Sequence, residues 1–263
     1  MAVKKPNIKK SELGQIKVFL KEIKIIDELN INYPKYLRNQ CEECDTDIKF
    51  LPAIQFHHIK DEKNISWDEI KYLPYKTVRK LMMHEDLKVI CNNCHLKKQA
   101  TIYHQFRDFI NSLNLNRDTI KATKRLINEE LNKRDIKINK KRIRAWIYKK
   151  YLIEQYYNGE CASCGKRCTD DNLPIFIFHH RTKRKTEKWG KMKYKNINEI
   201  IKWLKYDKCI CLCANCHTML HSRLYIKYSD IILRSDALKE DLINKISDMK
   251  KKIKEFDYKN FHL

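Results

Sequence analysis

Asp207-Lys-Cys-Ile-Cys-Leu-Cys-Ala-Asn-Cys-His217 is the stretch on which the fold turns. Cys209–Leu212 reads as a short apolar strand that runs straight into a knuckle, Cys213-x-x-Cys216, whose second cysteine opens a helix with His217. Such a knuckle presents two thiolates to one side, and a tetrahedral zinc ion needs four, so a second knuckle is required. Cys161-Ala-Ser-Cys164 supplies it. Four thiolates close the coordination shell, which makes the expected site structural.

The same order of features occurs twice. Cys41 and Cys44 precede Cys161 and Cys164 by 120 positions, and Phe56-His57-His58, Trp67, Cys91, Cys94 and His95 precede Phe178-His179-His180, Trp189, Cys213, Cys216 and His217 by 122. The spacing from double histidine to second knuckle is the same, 33 in each copy (91 − 58 and 213 − 180). Matched rare residues at fixed offset mark a tandem repeat, with modules at about 36–100 and 150–222. Each holds a first knuckle, an apolar stretch ending in the double histidine (Leu51–His58, Leu173–His180) and a polar loop with a tryptophan. A second strand (Leu87–Ile90, Cys209–Leu212) and the Cys-His helix follow. The expected fold class is α+β: two zinc-stapled ββα units in a mainly helical frame. Cys168, Cys209 and Cys211 fall outside the pairs, and the latter two read as small core residues. Trp67 and Trp189 read as core anchors of their loops.

The frame is an N-terminal helix (1–35), a basic helical linker (101–149) and a C-terminal helical tail (223–263). Leu13, Ile16, Phe19, Leu20, Ile23 and Ile26 form one apolar face behind Ser11 as N-cap. Residues 102–113 read as continuing the first module's helix. From Arg117 to Asn158 there are 13 basic and 5 acidic residues, net +8. Helices at Thr119–Asn132 and Asn139–Tyr157 are predicted there, either as a helix-turn-helix reader exposing Arg142, Arg144 and Lys149 or as a solvated connector. Leu242, Ile246, Met249, Ile253 and Phe256 keep a 4-3-4-3 spacing, which suits a partner helix or the chain's own core.

With 56 Lys+Arg against 33 Asp+Glu, the chain carries a formal charge of +23. That favours a polyanionic partner, DNA or RNA, through counterion release and steering. No apolar run approaches the roughly 18–20 residues of a spanning helix, and Met1–Lys10 has no signal-like apolar stretch. A reducing intracellular compartment is expected, where the eight paired-knuckle cysteines of the eleven bind metal rather than form disulfides.

Phosphodiester hydrolysis needs an activated water and neutralisation of charge at the leaving oxygen. A histidine can serve as base, and a divalent cation open to phosphate can serve as Lewis acid. Adjacent histidines on a strand face opposite ways, so one can ligate metal while the other addresses water. His217 and His221, at i and i+4, share a helix face.

Cys161-x-x-Cys164, Phe178-His179-His180 and Asp207–His217 followed by His221 resemble the HNH endonucleases closely, and residues 36–99 more loosely. The resemblance implies His180 as general base, with His179, His217 and His221 around a divalent cation, expected to be magnesium. In the first module it implies His58 as base and His57 and His95 as ligands. The family's middle Asn lies nine residues before the Cys-His histidine. Here Asp86 (95 − 9) and Lys208 (217 − 9) occupy that place; Asp86 can join the cation site and Lys208 cannot. Gln99 replaces His221 in the first module. Arg181, Lys183 and Arg184, beside the double histidine, are expected to contact phosphates. The reading is therefore a metal-dependent endonuclease acting on DNA, a single chain that can imitate a dimer. The alternative is a non-catalytic zinc protein that binds RNA or DNA within a larger assembly.

The charge alone sets one expected outcome. Duplex DNA binding should weaken with salt at a log–log slope of about −0.9 per phosphate neutralised. Anisotropy titrations across salt concentrations measure it, and a flat response would point to a protein partner instead.

Overall fold

The computed structural model describes residues 9–29, 40–44, 46, 52–59, 66–84, 87–182, 186–233 and 236–256. It is a mixture of helices and small sheets. In order the elements are α1 (Lys10–Leu29), β1 (Ile54–His58), α2 (Trp67–Ile70), α3 (Tyr75–Met83), β2 (Leu87–Cys91), α4 (Asn92–Gln99), α5 (Thr101–Ser112), α6 (Arg117–Arg134) and α7 (Lys140–Tyr156). Then come β3 (Phe176–His180), α8 (Trp189–Met192), α9 (Ile197–Tyr206), β4 (Cys209–Cys213), α10 (Ala214–His221), α11 (Arg223–Lys227), α12 (Ser229–Ile232) and α13 (Asp236–Glu255). Among the described residues no helix is long and apolar enough to cross a membrane.

The repeat read from the sequence extends to the backbone. Adding 122 to the bounds of β1, α2, β2 and α4 gives those of β3, α8, β4 and α10. The antiparallel pairings agree as well: Ile54 faces Cys91 as Phe176 faces Cys213, and His58 faces Leu87 as His180 faces Cys209. The tryptophan that opens each short helix packs on the phenylalanine before the double histidine, with ring centroids 4.9 Å apart in both pairs, Phe56–Trp67 and Phe178–Trp189. Both tryptophans are thus loop anchors, as expected.

The chain divides into two compact units, one of residues 1–95 with 218–247, the other of 96–217 with 248–263. These units cut across the five segments expected from the sequence. In the first unit Ile25 of α1 packs with Ile70, Val78 and Met82, and Phe56 and Trp67 lie against that cluster. Phe19 meets Tyr225 edge-on at 5.3 Å, and Arg79 reaches Glu28 at 2.6 Å. The buried face of α1 is Ile16, Val18, Glu22, Ile25 and Ile26, whereas Leu13 and Leu20 are exposed. Of the expected stripe Ile16 and Ile26 are buried and Phe19 and Ile23 half-buried; neighbours on more than one side of α1 widen its buried face to Val18, Glu22 and Ile25.

In the second unit α6 and α7 are not a solvated connector. They bury Ile120, Ile127, Leu131, Ile143, Ile147 and Leu152. Local chemistry sets their ends: the Asn116 side chain accepts from Thr119 N at 2.9 Å, Asp135 stops α6 in the left-handed region at φ 51, and Asn139 accepts from Lys141 N at 3.0 Å. The backbone breaks at Ala100 (ψ 50), so α5 is separate from α4 and not its continuation. Tyr157 donates its hydroxyl to Cys209 O at 3.0 Å, tying the end of α7 to β4. In α13, Leu242 and Ile246 of the first unit and Met249 and Ile253 of the second are all buried, so the heptad-like stripe packs on this chain.

Glu22 sits in the first unit's apolar face. Burial pushes its carboxyl from an ordinary 4.5 up to about 8, against the pull of Lys71 and with the help of Asp68. The fold then keeps a proton that the unfolded chain has released, so stability falls as pH rises from about 4.5 to about 8. Glu22→Gln should raise Tm more at pH 8 than at pH 5. Equal gains at both pH values would show that the carboxyl is not titrating in this window.

Candidate metal centres and histidine site

Each first knuckle is pinned to the strand–helix junction by the same hydrogen bonds. Glu42 N donates to Val89 O at 3.0 Å and Cys91 N to Cys41 Sγ at 3.1 Å; Ala162 N donates to Cys211 O at 2.9 Å and Cys213 N to Cys161 Sγ at 3.2 Å. In the second module Gly165, at φ 68, lets the chain turn back so that its amide reaches Cys161 O at 2.9 Å. The four sulfurs Cys41, Cys44, Cys91 and Cys94 lie within 4.8 Å of one another, and so do those of Cys161, Cys164, Cys213 and Cys216. Both groups could hold structural zinc. Thiol–thiol hydrogen bonds from Cys41, Cys44 and Cys94 draw the Cys91 thiol far below its ordinary value, and Cys164, Cys213 and Cys216 do the same to Cys161. The same contacts push up the thiols of Cys94 and Cys216, so each cluster crowds sulfurs that one cation could share. Cys209 and Cys211 are fully buried in β4, as small core residues.

The double histidines lie at the ends of β1 and β3, where alternation sends neighbours to opposite faces. His57 and His95 approach with ring centroids 5.4 Å apart, and His179 and His217 repeat the distance at 5.4 Å. In the second module His221, one turn after His217 on α10, joins them. Ligand atoms of all three imidazoles lie within 4.8 Å. Gln99 stands at the matching place on α4 and is exposed. The donor set departs from the expected magnesium site: imidazole nitrogen suits zinc, iron or nickel, while magnesium prefers oxygen.

On the other face of β3, His180 Nδ1 lies 2.9 Å from Asp207 Oδ2, and Asp207 is fully buried. Thr186 donates to the same carboxylate from its backbone N at 3.2 Å and from Oγ1 at 2.9 Å. A carboxylate that accepts from Thr186 can also accept from a protonated His180 Nδ1, the tautomer that leaves Nε2 as the basic nitrogen. The Trp203 ring stands 5.3 Å from the imidazole, edge-on. Sequence reasoning missed Asp207. The family spacing pointed to Lys208, which adopts φ 48 at the turn between α9 and β4. That turn brings the residue one position earlier, Asp207, to the His180 ring. Asp86 lies outside the described residues, as does Glu85, the counterpart of Asp207 (207 − 122).

The expected nucleic-acid contacts fare unevenly. Arg142 is exposed. Arg144 is half-buried and donates to Tyr194 O at 2.8 Å. Lys149, expected on the exposed side, is only 5% exposed and donates to Pro174 O at 3.2 Å; α7 buries nearly its whole circumference there. Arg181 donates to Lys254 O at 3.1 Å and Phe256 O at 3.5 Å, capping the end of α13. Lys183 and Arg184 lie outside the described residues.

Because an unfolded chain has no preformed site, metal binding and folding should be coupled. A thiol-specific mercurial should release two zinc equivalents per chain from the wild type and one from Cys213→Ser, whose Tm should drop. Release of one equivalent or none from the wild type would refute the paired staples.

Searches against family models, curated proteins and solved structures return no match to this chain.

Proposed function

We propose that this protein is a metal-dependent endonuclease of the HNH type, built from two ββα-metal modules and acting on DNA through the second. The observation that carries the reading is the division of labour at the end of β3. His180 is held by a buried carboxylate at 2.9 Å, and its neighbour His179 gathers with His217 and His221 into a three-imidazole group.

His179, His217 and His221 would hold the divalent cation, which when bound supplies positive charge to neutralise the phosphate and leaving oxygen. His180 Nε2 takes a proton from the attacking water. Asp207 keeps the other ring nitrogen protonated and stabilises the imidazolium that forms. The Trp203 edge and the buried carboxylate fix the ring plane, so little reorganisation is needed at that step. In the first module His57 and His95 remain as ligands and His58 as base, but Gln99 offers no imidazole, which weakens its cation site. The +23 charge brings either module to DNA.

Single-turnover cleavage of plasmid DNA across nickel, zinc and magnesium titrations tests this. His180→Ala should lower the rate by about 10²–10⁴-fold, with mercurial-released zinc and DNA affinity unchanged. Asp207→Asn should fall between that variant and the wild type, and His58→Ala should cost less than His180→Ala. A larger loss in His58→Ala would move the activity to the first module. Wild-type rates in every variant would leave a non-catalytic, zinc-stapled nucleic-acid-binding protein.

A further inference from the structure

The second unit contains a cleft of about 400 Å³ that the histidine site does not use. Its walls come from the end of α4 with Gln99 and the start of α5, from α7, from α8 with the turn after it, and from the start of β3. Lys149 is the unusual group in it. An ammonium carries three donors, yet among the described residues Lys149 Nζ has one acceptor, Pro174 O at 3.2 Å, and no carboxylate within ion-pair distance. A charge this deeply buried is ordinarily paired. Burial holds it below its usual value, at about 8, and the nearby Lys193 pushes the same way. Arg142 and Lys193 also line the cleft, and no acidic side chain does.

Beside Gln99, Thr101 and Tyr194, the remaining walls are mostly apolar. Trp146 and Trp189 both border the cleft, and Lys149 Nζ lies 4.9 Å from the Trp146 ring centroid. Three cations and two indoles around one void match a ligand that joins an anion to a planar ring. The volume lies within the roughly 300–1,000 Å³ of small-ligand sites. Ile177 lines the cleft too, and with a strand period of two it shares a face of β3 with His179. Two strand residues span roughly 7 Å, so the Ile177 wall of the cleft lies near the imidazole group, while Phe176, on the other face of β3, borders the cleft as well.

We propose that this cleft holds one unstacked nucleotide, its phosphate on Lys149, Arg142 and Lys193 and its base against Trp146 or Trp189. The nucleotide would neighbour the phosphate presented to His179, His217 and His221. This rests on the nuclease reading for its purpose, but not for its detection. Base stacking on aromatic side chains together with a cationic track is how single strands are held without sequence preference.

The experiment is calorimetric titration of full-length His180→Ala protein, without added divalent cation, with dAMP, with an eight-residue oligothymidylate and with inorganic phosphate. Expected are binding of dAMP and the oligomer, weaker binding of phosphate alone, and at least a tenfold loss in Lys149→Met. That variant should also melt at a higher temperature without ligand, because a buried charge compensated only by Pro174 O and the Trp146 ring has gone. Arg142→Gln, an exposed change that leaves the fold alone, should weaken the same ligands several-fold. A tighter oligomer than dAMP identifies a strand nucleotide; equal affinities identify a free nucleotide in the same cleft. Unchanged affinities in both variants, or phosphate binding as well as dAMP, overturn the proposal. Nucleotide binding in a protein that cleaves nothing would uphold the cleft and remove the nuclease. Cleavage with no effect of Lys149→Met on affinity would do the reverse.

Discussion

Everything in each module depends on one backbone amide meeting one sulfur. Cys91 N points at Cys41 Sγ, and Cys213 N at Cys161 Sγ, at 3.1 and 3.2 Å. Two strands of five residues make a sheet that is marginal in water by itself. Four clustered sulfurs that could hold zinc cross from the first knuckle to the strand–helix junction, where a bound ion would replace the missing strands. It also sets the chemistry. The knuckle cysteines Cys94 and Cys216 are followed at once by His95 and His217, so fixing the sulfur fixes the imidazole beside it.

The sequence made the repeat, the strands, the staples and the pairing of His179 with His217 and His221 legible. Rare residues at a constant offset are insensitive to propensity, and the 122-residue shift carries over to element bounds and sheet register alike. What it hid depends on local backbone or on burial from several sides. Asp207 was missed because counting residues assumes a regular path, whereas Lys208 turns through φ 48. A carboxylate one place off an expected position, with a threonine near the double histidine, was the available signal. Lys149 was misplaced because a basic residue on a basic helix is read as solvated. Its neighbours Ile147, Tyr148, Tyr151, Leu152 and Ile153 are all buried, and that density of large apolar residues argued against an open face.

The modules differ where the fold is indifferent. Removing a thiolate from a closed four-sulfur metal shell would unfold a module, and all four knuckle cysteines are present in each copy. Position 99, like its counterpart His221, is an exposed site on the last turn of its helix, where glutamine and histidine cost the fold about the same. The tandem arrangement can therefore lose a cation ligand from one copy without losing the scaffold. Lys149 presents the opposite balance. A buried, nearly unpaired ammonium costs stability at every moment the cleft lies empty, so a cavity wall that keeps one is better explained by an anion it receives than by the packing it serves.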